Sequence, residues 1–319
     1  MIFAVWVPLL MPLLAVPAAR RLAESLPPRA AAWLLTGCAA ALALCAGAAL
    51  GLLVAAGALW LPVVAALGNL SLPLLGGDPS LTVPVAYAAG ALLTACAVAA
   101  ARRGLRHRAE LRTARRATDA HTVAGDLCIL PDPVPDAYAL PGKPHRVVVT
   151  AGMLRALAPA EREALFAHER AHLAGRHHLF LLTVALASAC HPLLRGLRAP
   201  LAYALERWAD ESAASQVGDR RLTARAIGRA ALAGPGTPAA GPPSPRRPGA
   251  ALAATAGPVP RRVAALLSPG RPAARRRPAG RRLVAAALLA CVAFSAAGAL
   301  DAAADLHRSV ETAQGETGR

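Results

Sequence analysis

The chain has 319 residues, 55% of them hydrophobic and only 3% aromatic, with a mean hydropathy of +0.43. That balance argues against an ordinary soluble globular protein and for a membrane protein with one modest soluble part. The net charge is +17, but the arginines gather at the ends of apolar runs, as the positive-inside rule requires. No nucleic-acid module with interleaved aromatics accompanies them, so direct nucleic-acid binding is not expected.

Lys143 is the sole lysine; such an arginine bias belongs to a GC-rich, actinomycete-like bacterial genome and not to a function. The six cysteines are scattered, without a C-x-x-C pair. They read as small buried hydrophobes, not as disulfides or zinc ligands.

In chain order, an apolar stretch at 2–19 ends at Arg20 and Arg21. Its charge follows the apolar run, the reverse of a signal peptide, so a retained span is expected, irregular at Pro8, Pro12 and Pro17. A second apolar run covers about 30–61 and contains a G-x-x-x-G at Gly47 and Gly51 that would let another helix approach. Residues 68–82 read as an external loop, and a third span at about 83–101 stops at Arg102 and Arg103. The basic run that follows suits an anionic membrane surface. Short strand-like runs come next at 121–130, 137–140 and 145–150, separated by Pro- and Gly-containing turns.

Pro159, Glu161 and Glu163 then open a helix carrying His168-Glu169-Arg170-Ala171-His172. Residues four apart share a helix face, so both imidazoles can reach one metal while Glu169 lies beside them. The run 177–194 is apolar enough to suggest a span. Crossing there would strand the following polar helix on the far side of the bilayer, so a buried or membrane-apposed helix is expected. His177, His178 and His191 on it read as polar residues at helix ends. Residues 201–232 read as a pair of helices; on the first, Glu206 is the best third ligand, and Asp210 shares its face, able to hold the outer N–H of a ligand histidine. Glu211 is rotated away. A break is expected near Gly218-Asp219. Residues 233–282 form a Pro-, Ala- and Arg-rich linker with little capacity to bury a core. Within it VPRRVAALLS can make an amphipathic helix that returns to the domain or lies on the membrane.

H-E-R-A-H followed by E-R-W-A-D resembles the H-E-x-x-H … E-x-x-x-D arrangement of the gluzincin membrane peptidases. The order of spans resembles the BlaR/MecR-type membrane zinc metallopeptidases, and the run 137–178 also resembles HtpX-type proteases. The resemblance implies a mainly α, multi-pass membrane protein whose cytoplasmic zinc peptidase domain combines helices with a small β-sheet. It implies one zinc ion on His168, His172 and Glu206, Glu169 as general base, and Asp210 as the carboxylate behind the ligands. It also implies that V-V-V-T is an edge strand able to pair with an extended peptide. Tyr203, Arg207 and Arg220 are the candidates for stabilising the transition state.

The expected division is three spans within 1–116, a peptidase domain at 117–232, the linker 233–282, a fourth span at 283–300 and an external tail at 301–319. Charge asymmetry puts 62–82 and the tail outside and 102–282 in the cytoplasm. The penicillin-binding sensor domain of the BlaR/MecR type has no counterpart in 301–319, so covalent β-lactam sensing is not expected. The function expected is regulatory cleavage of a cytoplasmic protein, a repressor or the chain itself. HtpX-like quality control of membrane proteins is the alternative, and a non-catalytic transducer with a structural metal a further one.

Overall fold

The computed structural model describes residues 2–75, 78–121, 123–234, 258–268 and 278–315. Most of the expected linker, 235–257 and 269–277, and the end of the tail, 316–319, lie outside the described residues. The fold is mainly helical with one small sheet.

Among the described residues, four helices are long and apolar enough to cross a membrane: α1 (Ile2–Ser25), α2 (Pro28–Ala58), α4 (Pro79–Asp119) and α11 (Pro278–Gly315). Pro8, Pro12 and Pro17 lie inside α1 without ending it. The expected close helix approach is not at Gly47 or Gly51, which face open space. It is at Gly57, where a Cβ would come within 2.1 Å of the Ala86 methyl on α4. A short helix, α3 (Pro62–Leu67), and a 3₁₀ turn at Leu72–Leu74 connect α2 to α4. The α11 helix runs through most of the expected tail, and its end meets this connection: Ser71 N–H donates to the Ala313 carbonyl at 3.0 Å.

Asp78 caps α4 by accepting from the Ser80 N–H at 2.8 Å. No breaker separates the apolar part of α4 from the basic run, so both form one helix of 41 residues, about 60 Å long at 1.5 Å per residue. Its last turns carry Arg115, whose guanidinium donates to the carbonyls of Pro141, Lys143 and Pro144 at 2.9–3.1 Å. That fork binds α4 to the sheet.

The sheet holds β1 (Val123–Ala124), β2 (Leu127–Leu130), β3 (Ala137–Leu140) and β4 (Arg146–Thr150) in the order β1-β2-β4-β3. The V-V-V-T strand is therefore central, not an edge. Val149 of β4 pairs Ile129 in parallel on one side and Ala137 antiparallel on the other. Pairing on both sides leaves no ladder free for a peptide, and β3 is the outer strand next to it.

After α5 (Ala151–Ala156), the helices α6 (Pro159–Ala174) and α7 (His177–Cys190) meet at a bend of 54°. A 3₁₀ turn at Pro192–Leu197 leads into α8 (Arg198–Val217), and α9 (Arg220–Ala233) follows. Phe180, Val184, Leu194, Leu197, Leu201 and Leu205 from this part share one buried cluster with α1, α2 and α11. The long apolar helices and the segment α7–α8 thus have a common core. Within the expected linker, α10 (Val259–Leu267) packs Leu266 against Ala214, Ala224 and Ile227.

Glu161 joins α6 to α9. Its buried carboxylate accepts from the Ala158 N–H at 3.0 Å and pairs with Arg225 and Arg229 at 3.0 and 2.9 Å. Burial alone would raise its pKa, but these partners outweigh it and hold it below the usual carboxylate value. A depressed pKa stabilises the fold above the unfolded value, near 4.3, and that contribution is lost as pH falls below it. Glu161→Ala should cost about 1–3 kcal/mol at neutral pH, read as a lower thermal midpoint, with the gap to wild type closing in acid.

Candidate metal centre

The helix α6 has an apolar inner face, and four-residue spacing puts His168 and His172 on it. Their Nε2 atoms are 3.1 Å apart. Across from them α8 presents Glu206, with Oε2 3.5 Å from His168 Nε2 and Oε1 3.6 Å from His172 Nε2. The three residues are buried, and one ligand atom from each lies within 4.8 Å of the others. A tetrahedral ion with bonds of about 2.0–2.1 Å separates its ligand atoms by about 3.3 Å, which is the spacing found.

Each histidine is fixed from behind, through Nδ1. His168 Nδ1 is 3.0 Å from Asp210 Oδ1, one turn beyond Glu206 on α8. His172 Nδ1 is 2.7 Å from His177 Nδ1. With Nε2 of His172 turned to the cluster, its Nδ1–H donates and His177 accepts. The local chain makes this possible. Arg176 is left-handed, at φ 50°, and lies at the 54° bend between α6 and α7. Gly175 leaves the space that the His177 ring fills: a Cβ there would meet His177 Nε2 at 2.3 Å. His177 is thus neither a ligand nor a bare helix-end residue. His191 lies elsewhere, with Nε2 3.0 Å from the Leu9 carbonyl.

The remaining partner was not expected. Arg262 of α10 is fully buried and places Nη1 2.7 Å from Glu206 Oε2, with Nη2 and Nε 2.6 and 2.9 Å from the two Asp210 oxygens. A sign of it was legible: Arg262 is on the same face of α10 as Val259, Val263 and Leu266, and an arginine on an apolar face requires a buried carboxylate. The arginines named from sequence are committed elsewhere. Arg207 and Arg220 both pair with Glu211, at 3.4 and 3.1 Å, and Arg261 lies over the Tyr203 ring at 5.9 Å.

Charge also fits a metal. Glu169, Glu206 and Asp210 are buried with Arg262: three carboxylates and one guanidinium leave two negative charges, which a divalent cation cancels. Without one, protons respond. Burial opposes charge on His168, but Asp210 and Glu206 outweigh it and raise its pKa to about 9. Burial likewise opposes charge on Asp210, but Arg262 and His168 lower its pKa to about 2.

Residues 106–199 match the model of peptidase family M48. That match supports an M48 family metallopeptidase, and such peptidases are zinc-dependent. The M48 segment runs from the basic part of α4 to the first residues of α8. It contains His168, Glu169 and His172 and stops short of Glu206, Asp210 and Arg262. No curated protein and no solved structure matches the chain.

Metal analysis of purified protein should give one zinc per chain for wild type and for Glu211→Ala, and none for Glu206→Ala. Asp210→Asn should weaken zinc binding by about 10–100-fold, measured by competition with a chromogenic chelator.

Proposed function

We propose that the protein is an integral-membrane zinc endopeptidase of the BlaR/MecR type that cleaves a cytoplasmic polypeptide, a repressor or its own linker, in regulatory proteolysis. The observation that carries this reading is Glu169. Its carboxylate is buried one residue from His168, on the helix that turns both imidazoles toward Glu206. A purely structural metal site has no use for a carboxylate there.

In this reading His168, His172 and Glu206 hold one zinc ion, and Asp210 holds His168 in its tautomer. Zinc in such a site acts as a Lewis acid and brings the pKa of a water to about 7. Glu169 takes the proton from the attacking water and delivers it to the leaving amine. Arg262 fixes Glu206 and Asp210 in place and keeps Asp210 ionised. Its own pKa is raised by Glu206, Asp210 and Glu169 together, against the opposing effect of burial. The whole centre is buried, so a polypeptide reaches Glu169 only after a covering element moves.

The placement relative to the membrane belongs to the same proposal: N-terminus, 62–82 and 301–319 outside, and 102–282 inside. The meeting of Ser71 with Ala313 supports it, because both segments then lie on one side. In the division into 1–116, 117–232, 233–282, 283–300 and 301–319, the linker contributes α10 to the peptidase domain.

Glu169→Gln should keep stoichiometric zinc and lose activity by at least about 100-fold, the usual contribution of a general base. Reconstituted protein incubated with candidate cytoplasmic regulators checks this by mass spectrometry of the fragments. Cleavage at the wild-type rate with zinc bound would overturn the assignment of Glu169.

A further inference from the structure

Away from the metal centre, α4 and α7 run antiparallel. Cys96 Sγ donates to the Cys190 carbonyl at 3.0 Å near one end of the contact, and His107 and His178 influence each other electrostatically near the other. Between α4, α7 and the start of α8 lies a cleft of about 550 Å³, floored by alanines of α4 and α7. Arg102, Arg103 and Arg106 of α4, Arg195 of the 3₁₀ turn and Arg198 of α8 line it.

Among the described residues, none of these five arginines is in an ion pair or a hydrogen bond of its side chain. Their counter-charge therefore comes from outside the described chain. Converging cations repel one another, and an anion in the cleft relieves that repulsion.

Placement along α4 identifies the kind of anion. The apolar part of α4 ends at Arg102, so on the proposed topology the cleft opens at the inner headgroup layer. Val98, Leu105 and Leu193 are exposed and lie one or two residues along the chain from cleft residues. Those apolar neighbours suit acyl chains, which free phosphate lacks.

We propose that this cleft is a binding site for the headgroup of an anionic phospholipid of the inner leaflet, its phosphate held by Arg195 and Arg198 from one side and by Arg102, Arg103 and Arg106 from the other. The basic run of α4 alone gives only diffuse attraction to a membrane. The cleft adds a second wall, and with it a bound lipid that bridges α4 to the helix carrying Glu206, eight residues or about 12 Å beyond Arg198. The site rests on the proposed topology but not on peptidase activity, and its readout, binding, fails or succeeds separately from cleavage.

The test is native mass spectrometry of delipidated full-length protein in detergent. It is titrated with dioleoylphosphatidylglycerol, with dioleoylphosphatidylcholine, and with inorganic phosphate as competitor. Wild type should take up one phosphatidylglycerol on the order of tenfold more tightly than phosphatidylcholine. R195Q/R198Q should lose that preference, while R108Q/R112Q, the same charge change outside the cleft, should keep it. Equal loss in both double variants, or equal uptake of both lipids, would overturn the site. Displacement of phosphatidylglycerol by equimolar phosphate would overturn its assignment to a lipid. If R195Q/R198Q does not fold, a photoactivatable phosphatidylglycerol on wild type decides: crosslinks within 99–106 and 185–198 uphold the site, and crosslinks confined elsewhere reject it.

Discussion

Charge balance in a buried centre is the constraint on which the rest of this structure depends. Glu169, Glu206 and Asp210 lie in an interior where an unpaired carboxylate is costly, and Arg262 cancels only one of the three. The remaining two charges call for a dication, and the facing Nε2 atoms of His168 and His172 give it a place. The same deficit explains the raised pKa of His168, which holds a proton as the nearest substitute for a metal. A metal bound at this centre would displace that proton, and acid would oppose it.

That constraint reaches well beyond the ligands. Arg262 must come from outside the helix pair, and α10 is the element that brings it, held by Val259, Val263 and Leu266 against α8 and α9. His168 needs Asp210, which sets the rotation of α8 relative to α6. His172 needs His177, which requires Gly175 and the left-handed Arg176 between the two helices. Three local features of the chain, a turn, a helix rotation and a returning helix, are thus fixed by one buried cluster.

What could be read from the chain before its structure follows the same division between local and distant. The pentad and the Glu206/Asp210 pair depend on four-residue spacing within a helix, so their shared faces were evident. Strand positions were evident too, because short apolar runs between turns are local. The order of strands was not. Nothing in R-V-V-V-T records that β2 and β3 close on both sides of it, and the expectation of an edge strand failed there. Arg262 was harder still, since 52 residues separate it from its partner Asp210, across a low-complexity stretch. Gly47 and Gly51 show the limit of a pattern read alone: in an Ala-rich helix every face is small, and the close approach falls at Gly57, four residues from no other glycine but Ala86's neighbour in space.

The helix α7 is apolar enough to join α6 in a broken span or a re-entrant loop. Had it crossed, Glu206 would lie on the opposite side of the bilayer from His168, whereas 3.5 Å separate them. The chain turns back through the 3₁₀ segment Pro192–Leu197 instead. A turn packed among helices long and apolar enough to span a membrane needs partners for its polar groups within the protein, because lipid would provide none. It does so at the point of reversal. Cys96 donates to the Cys190 carbonyl, His191 meets the Leu9 carbonyl, and the His191 carbonyl accepts from the Leu194 N–H. Contacts to α4 and α1 thus hold the reversal in place, and the position of Glu206 follows from it.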